Sequence, residues 1–267
     1  MSDTVILETR KASKHFGGLK AVNEVTMQVR QGEILGIIGP NGAGKTTFFN
    51  LITATYRLTS GQVLFEGKDI SHLTAEKVAR LGIARTFQNI KLFKFLSVLE
   101  NVKVGFHTRT KTGLFDSILH TGRYKRDEAL ANQEGMAILE RVGLGDRAGL
   151  MAGNLPYGLQ RRLEIARALA LSPKVLLLDE PAAGMNPSET ADLMEFIRQL
   201  NRDGITIVVI EHDMKFVMNL CDRIVVINYG QKLAEGTPAE VTSNPQVIEA
   251  YLGTGLTIGR RRKGETA

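Results

Sequence analysis

Eight consecutive residues, Gly39-Pro40-Asn41-Gly42-Ala43-Gly44-Lys45-Thr46, match the pattern GxxxxGK[ST], whose spacing lets backbone N–H groups close around phosphate oxygens. The glycines allow the tight turn. A helix starting at the end of the loop adds partial positive charge. In that arrangement Lys45 reaches the β- and γ-phosphates of a nucleotide and Thr46 ligates Mg²⁺, with Thr47 next along the same helix. Much later in the chain, Val175-Leu176-Leu177-Leu178 is a continuous apolar run that ends in Asp179-Glu180. A carboxylate at the end of a buried strand beside a phosphate loop holds Mg²⁺ or its water, which points to Asp179. Glu180, one residue further out, is placed to polarise an attacking water, as hydrolysis requires. An apolar run ending in two acids is a weak signal alone; the phosphate loop upstream gives it meaning.

These residues need strands to end them and helices to follow. Apolar runs and breakers alternate along the chain in the pattern of an α/β sheet covered by helices. Residues 22–30 alternate apolar and polar as a half-exposed antiparallel strand, and residues 33–38 are a buried strand closed by Gly39. A helix is expected from near Gly44 through Leu51, then a turn at Thr59-Ser60-Gly61 into a strand at 62–65. Residues 97–148 read as helical segments with a polar, loop-rich insertion at 108–126. A helix at 158–171 places Leu159, Leu163, Ala166 and Ala170 on one face. Strand 174–179 is of the doubly covered parallel type. Helix 188–202, strand 205–210, helix 214–220, strand 223–228 and a hairpin-like piece complete the core.

With 267 residues and 43% hydrophobic content, the chain is long enough to bury a substantial core. Its one cysteine, Cys221, rules out an intrachain disulfide and suits a reducing compartment. Glu8, Arg10 and Lys11 break the apolar start, so residues 1–14 do not read as a signal peptide. No apolar stretch is long enough to cross a bilayer, so any membrane role is expected to be peripheral. The net charge of +6 is concentrated: residues 91–126 hold eight basic residues against two acids, and residues 260–263 are all basic. A basic surface meets nucleic acid, anionic lipid or water.

Glu180-Pro181, with Leu178-Asp179 before it and Ala182-Ala183-Gly184-Met185-Asn186 after it, resembles the Walker B and D-loop run of the ABC ATPases. Further family positions follow in order. Phe16 stands where the family carries an aromatic that stacks on adenine. Gln88, in Arg85-Thr86-Phe87-Gln88, looks like the Q-loop glutamine, which senses Mg²⁺ and γ-phosphate and borders the membrane subunit. His212, in Ile210-Glu211-His212-Asp213, looks like the switch histidine that touches the γ-phosphate. Each is weak singly, and the ordered set carries the resemblance. The signature motif departs: Leu155-Pro156-Tyr157-Gly158-Leu159-Gln160-Arg161 stands where Leu-Ser-Gly-Gly-Gln is usual, keeping Leu155 and Gly158. In the family this segment binds a γ-phosphate held by the opposite subunit. Pro156 offers neither hydroxyl nor N–H, while the helix start near Gly158 still supplies a dipole and backbone donors. The expectation is a weakened half-site for the partner. Asn186 stands where Asp is usual.

The resemblance implies an α/β fold of P-loop NTPase type, with a RecA-like core, an antiparallel β subdomain and a helical subdomain. One domain is expected over 1–253: core and β subdomain at about 1–90 and 174–253, helical subdomain at about 91–173, and a basic tail at 254–267. Ala84 to Gln88, Leu92-Phe93, Val98-Leu99-Glu100-Asn101, the insertion around Lys111-Thr112-Gly113-Leu114-Phe115, Arg162 to Arg167 and Glu211 to Lys215 sharpen the match. They resemble the larger ATP-binding subunit of bacterial branched-chain amino acid importers. That kinship implies ATP and Mg²⁺ as cofactors, two permeases, a second ATPase subunit (or a homodimer in isolation) and an indirect link to a substrate-binding protein. It places the chain peripherally on the cytoplasmic face of the bacterial inner membrane, with no nucleic-acid partner. Lys111, Arg123, Lys125 and Arg126 are expected to help at the headgroups. Rival readings are a urea or amide importer, a lipopolysaccharide exporter, a repair or translation ABC ATPase, and a P-loop kinase. The second cassette or coiled-coil insertion common in the repair or translation class is absent from the sequence, and Glu180 and His212 count against the kinase.

Overall fold

Residues 4–106 and 122–252 are described in the computed structural model of this chain. Its centre is four short apolar strands, β3 (Ile34–Ile38), β7 (Val175–Asp179), β8 (Thr206–Ile210) and β9 (Arg223–Asn228). With β6 (Ile83–Arg85) and β10 (Gln231–Gly236) they form a six-stranded sheet in the order β10-β9-β3-β8-β7-β6. All neighbours are parallel except β10, which runs antiparallel to β9. Parallel strands are covered on both faces, so their residues alternate between two cores. Ile34, Ile38, Leu176, Leu178, Ile207 and Val209 join one core; Leu35, Ile37, Val175, Leu177, Val208 and Ile210 join the other.

The second core is closed by an antiparallel sheet of order β2-β1-β4-β5, built from β1 (Val5–Phe16), β2 (Leu19–Arg30), β4 (Ser60–Phe65) and β5 (Lys68–Asp69). Phe48, Phe49, Leu51 and Ile52 of helix α1 (Lys45–Ile52) fill the space between the sheets. Helix α2 (Ala75–Leu81) leads into β6. The first core is covered by α3 (Val98–Phe106), α4 (Gly122–Arg141), α5 (Tyr157–Leu169), α6 (Pro187–Arg202), α7 (Met214–Leu220), α8 (Pro238–Ser243) and α9 (Pro245–Leu252).

The strand expected at 22–30 begins earlier, at Leu19, and pairs along β1, a strand that the apolar pattern does not announce. Lys11 explains why. Its backbone is left-handed (φ 46°) and the β1 register shifts between Thr9 and Ala12, so a bulge breaks the alternation. The insertion expected at 108–126 falls mostly outside the described residues, Lys111 included, and its end belongs to α4. The basic tail at 254–267 also lies outside them.

Asn186 acquires a local role. It caps α6: its side chain accepts from the Glu189 N–H (3.0 Å), while Glu189 Oε2 accepts from the Asn186 N–H (3.0 Å). Such reciprocal capping contributes about 1 kcal/mol, so a neutral amide at this position is compatible with full helix stability.

Candidate active site

The phosphate-type loop lies between β3 and α1, as the sequence predicts. Two glycines make its path possible. At Gly39 (φ 155°) a Cβ would stand 2.0 Å from the Ile227 carbonyl oxygen, and at Gly44 (φ 99°) 2.2 Å from that of Ala21. No side chain larger than hydrogen fits either place. Gly44 caps α1 without a side-chain bond, so its first N–H groups face the loop. Lys45 is only 7% exposed, and its Nζ donates to the carbonyls of Gly39 (2.7 Å) and Pro40 (2.9 Å). Burial pushes its pKa below the ordinary lysine value, against the pull of Glu180 and Asp179.

Parallel strands deliver their next residues to one edge, and the other sequence-predicted groups arrive there. β7 ends at Asp179 and β8 at Ile210, paired in register, and the Glu180 N–H donates to the Ile210 carbonyl (2.9 Å). Glu180 itself takes a left-handed backbone (φ 46°), unusual for a residue with a side chain. Gln88 Nε2 donates to Glu180 Oε2 (2.9 Å), and His212 Nδ1 lies 3.7 Å from the same oxygen. His212 is 58% exposed. Thus Gln88, Glu180 and His212 meet around one carboxylate oxygen.

Asp179 is nearly inaccessible, 1% exposed, and Arg85 Nη2 donates to its Oδ2 at 2.6 Å. Burial raises its pKa while Arg85 pulls it back. Its other oxygen, Oδ1, is buried and has no hydrogen-bond partner among the described residues. A buried carboxylate oxygen without a partner is costly, and a cation or its water at this end of the strand would satisfy it. The exposed hydroxyl residue Thr46 stands on the loop side of the cavity. Among the described residues no three His, Cys, Asp or Glu side chains cluster to hold a metal alone. Mg²⁺ does not require such a cluster, because it is bound through one or two carboxylates plus substrate phosphates and keeps several waters.

A cavity of about 630 Å³ collects Phe16, Asn41, Gly42, Ala43, Gly44, Lys45, Thr46, Thr47, Gln88 and Glu180. Phe16 is half-exposed at its edge, its ring 5.5 Å from that of Tyr56 in an edge-to-face pair, with Lys14 Nζ 5.0 Å away. Asp179, His212 and Gly158 do not line it. Gly158 instead borders α6, where a Cβ would be 3.3 Å from Glu189 Oε1. Pro156 is the N-cap of α5, its carbonyl accepting from Leu159 and Gln160.

Two residues escape a reading of the sequence as a site. Arg85, a lone cation near the Q-loop, spans Asp179 and Asn50 Oδ1 (2.5 Å) and stacks beside Phe49 and Phe87. Glu211 is 1% exposed and accepts from the N–H groups of Ala182 (2.9 Å) and His212 (3.1 Å), so it ties the strand end before His212 to the run after Glu180. Burial raises the pKa of this carboxyl. An acid just past an apolar strand is the signal that could have found Glu211.

Comparison with known proteins identifies the family. The sequence model of the ABC transporter family matches residues 22–183, and that of the branched-chain amino acid ATP-binding cassette transporter matches residues 231–257. The high-affinity branched-chain amino acid transport ATP-binding protein LivG of Salmonella typhimurium is 49% identical over 239 residues, 89% of this chain and 94% of its own length. The ADP conformation of MJ1267, an ATP-binding cassette of an ABC transporter, superposes with TM-score 0.82 at 34% identity, covering 93% of this chain and 99% of its own. The dimeric MJ0796, a bacterial ABC transporter cassette, gives TM-score 0.73 at 25% identity over 87% of this chain and 99% of its own. Since the family match runs unbroken from before the phosphate loop to beyond Glu180, and the likeness in fold spans nearly the whole chain, this protein belongs to the ABC transporter family.

Proposed function

We propose that this chain is the ATP-binding and ATP-hydrolysing subunit of an importer for branched-chain amino acids, leucine, isoleucine and valine. The observation that carries the substrate is the likeness to LivG, strengthened by the branched-chain match at 231–257. The residues at the carboxyl edge support the chemistry. Residues 39–44 and Lys45 cradle the phosphates, with Thr46 and Thr47 at the helix start, and Phe16 stacks on adenine. Thr46, Gln88 and Asp179 would hold Mg²⁺, which when bound neutralises phosphate charge. Glu180 accepts the proton of the attacking water, and Gln88 and His212 orient that water and the γ-phosphate. Gly158 serves the nucleotide of the facing subunit.

Partners follow from that role. Two permeases form the path, a second ATPase subunit faces this one, and a substrate-binding protein acts through the permeases. The dimeric cassette among the similar structures supports a facing pair. The importer role puts the chain at the cytoplasmic face of the inner membrane, held peripherally by the permeases; no described helix is long and apolar enough to cross a membrane. The domain divisions at about 90 and 174 are part of the same proposal. ATP turnover by the reconstituted complex, stimulated by binding protein, tests the substrate. Leucine, isoleucine or valine should stimulate it; stimulation by urea or short amides in their place would overturn the assignment.

The altered signature makes the two composite ATP sites unequal. Pro156→Ser restores a hydroxyl at the cap of α5 and should raise ATP turnover of the assembled transporter by about 1 kcal/mol of transition-state stabilisation, roughly fivefold. An unchanged turnover would mean that the hydroxyl has no part here.

A further inference from the structure

Helix α5 starts at Tyr157 and passes, one turn on, against the loop that carries Gln88. Arg161 stands at that crossing with 0% exposure. Its Nη1 donates to the Phe87 carbonyl (2.8 Å) and to Glu164 Oε2 (2.8 Å). Its Nη2 donates to the Gln88 carbonyl (3.0 Å) and, at a longer 3.5 Å, to the Tyr157 hydroxyl. Glu164 Oε1 accepts from the Phe87 N–H (3.3 Å). Three backbone groups of Phe87 and Gln88 are therefore held by one buried ion pair. Held there, Gln88 reaches Glu180 with its amide.

A buried ion pair adds little net stability, because desolvation offsets the attraction. What this pair supplies is placement. An aliphatic pair of like volume would pack α5 against the core as well, but would leave the carbonyls of Phe87 and Gln88 without donors. Tyr157, at the near end of the same guanidinium, lies against Gly184 in the loop after Glu180: its ring is 3.5 Å from where a Cβ on Gly184 would stand.

We propose that Arg161 is a positioning residue for ATP hydrolysis, setting the Gln88–Glu180 contact through the backbone of Phe87 and Gln88. The proposal rests on the functional reading above, in which Glu180 and Gln88 serve hydrolysis. A four-member cycle tests it in the assembled transporter: wild type, R161K, Q88A and R161K/Q88A, each measured for kcat and for the KM of ATP. Lysine keeps the charge and loses the fork that spans two carbonyls. R161K should lower kcat on the order of 10- to 100-fold, the scale of a misplaced catalytic group. The KM of ATP should stay within about twofold, and in the Q88A background R161K should cost less than about twofold, because the two act through one contact.

Losses that multiply across the cycle, a rise in KM alone, or a wild-type kcat for R161K would overturn the proposal. If R161K does not fold, the paired R161M/E164M change removes both buried charges together and is held to the same outcomes. A wild-type assembled transporter without ATP hydrolysis would sink the functional reading and this inference with it, whereas a multiplicative cycle in an active transporter would sink this inference alone.

Discussion

Glu180→Gln is expected to remove steady-state ATP hydrolysis, lowering kcat by about 10²–10⁴, while ATP binding is retained. The substitution keeps size and planarity. An amide oxygen at this position still accepts from Gln88 Nε2, so the 2.9 Å contact and the local packing have a replacement. What disappears is the carboxylate beside the cavity that is proposed to accept the proton. One negative charge also leaves the neighbourhood of the phosphates, so affinity for ATP should hold or rise. Phosphate release and ATP affinity, measured on the same preparation, separate the two effects. Hydrolysis at the wild-type rate would show that another group takes the proton. The left-handed backbone at Glu180 adds weight to the choice. Strained non-glycine positions of this kind cost about 1–3 kcal/mol and persist where surrounding structure holds them, often at functional sites. Here the N–H bond to Ile210 and the parallel register of β7 with β8 do the holding.

Arg85→Met should be the most damaging change to stability at the site, at about 3–5 kcal/mol. Arg85 is 8% exposed and its carboxylate partner 1%, so removal leaves a buried charge without compensation. The bond to Asn50 and the stacking beside Phe49 and Phe87 go with it. For a chain of this size such a loss lowers the melting temperature by roughly 10 °C. The pH dependence follows from Asp179. Burial already holds its pKa above the ordinary aspartate value, and losing Arg85 removes a lowering influence. A carboxyl with a higher pKa folded than unfolded binds more protons in the folded state, so its contribution to stability is present at low pH and is lost as pH rises. The Arg85→Met deficit should therefore shrink on acidification, and adding Asp179→Asn should recover most of it at neutral pH. Thermal unfolding at several pH values checks both; a deficit that is independent of pH and survives Asp179→Asn would place the damage in the lost stacking.

How much of this was legible before folding depended on distance along the chain. The phosphate loop is one contiguous segment between a strand and a helix, so residue types and spacing were sufficient to place it. The same holds for Asp179 and Glu180, since an apolar run with an acid at its end states its own direction. β1 was hidden because a bulge at Lys11 interrupts its periodicity, and β6 because three residues are too few to show one.

The meeting of these segments lay beyond any local pattern. Asp179 and Arg85 are 94 residues apart, Gln88 and Glu180 are 92, and Arg161 and Phe87 are 74. Strand order brings them together: β6 beside β7, and β7 beside β8, put Arg85, Asp179 and His212 at one edge. Burial then changes their chemistry. Sequence spacing could make Asp179 a candidate ligand for Mg²⁺; only in the packed chain does one of its oxygens bond to Arg85 while the other is buried without a partner among the described residues. Side-chain types specify which chemistry is available, but desolvation and long-range hydrogen bonds arise when the chain closes, and these select the residues that hold the site in place.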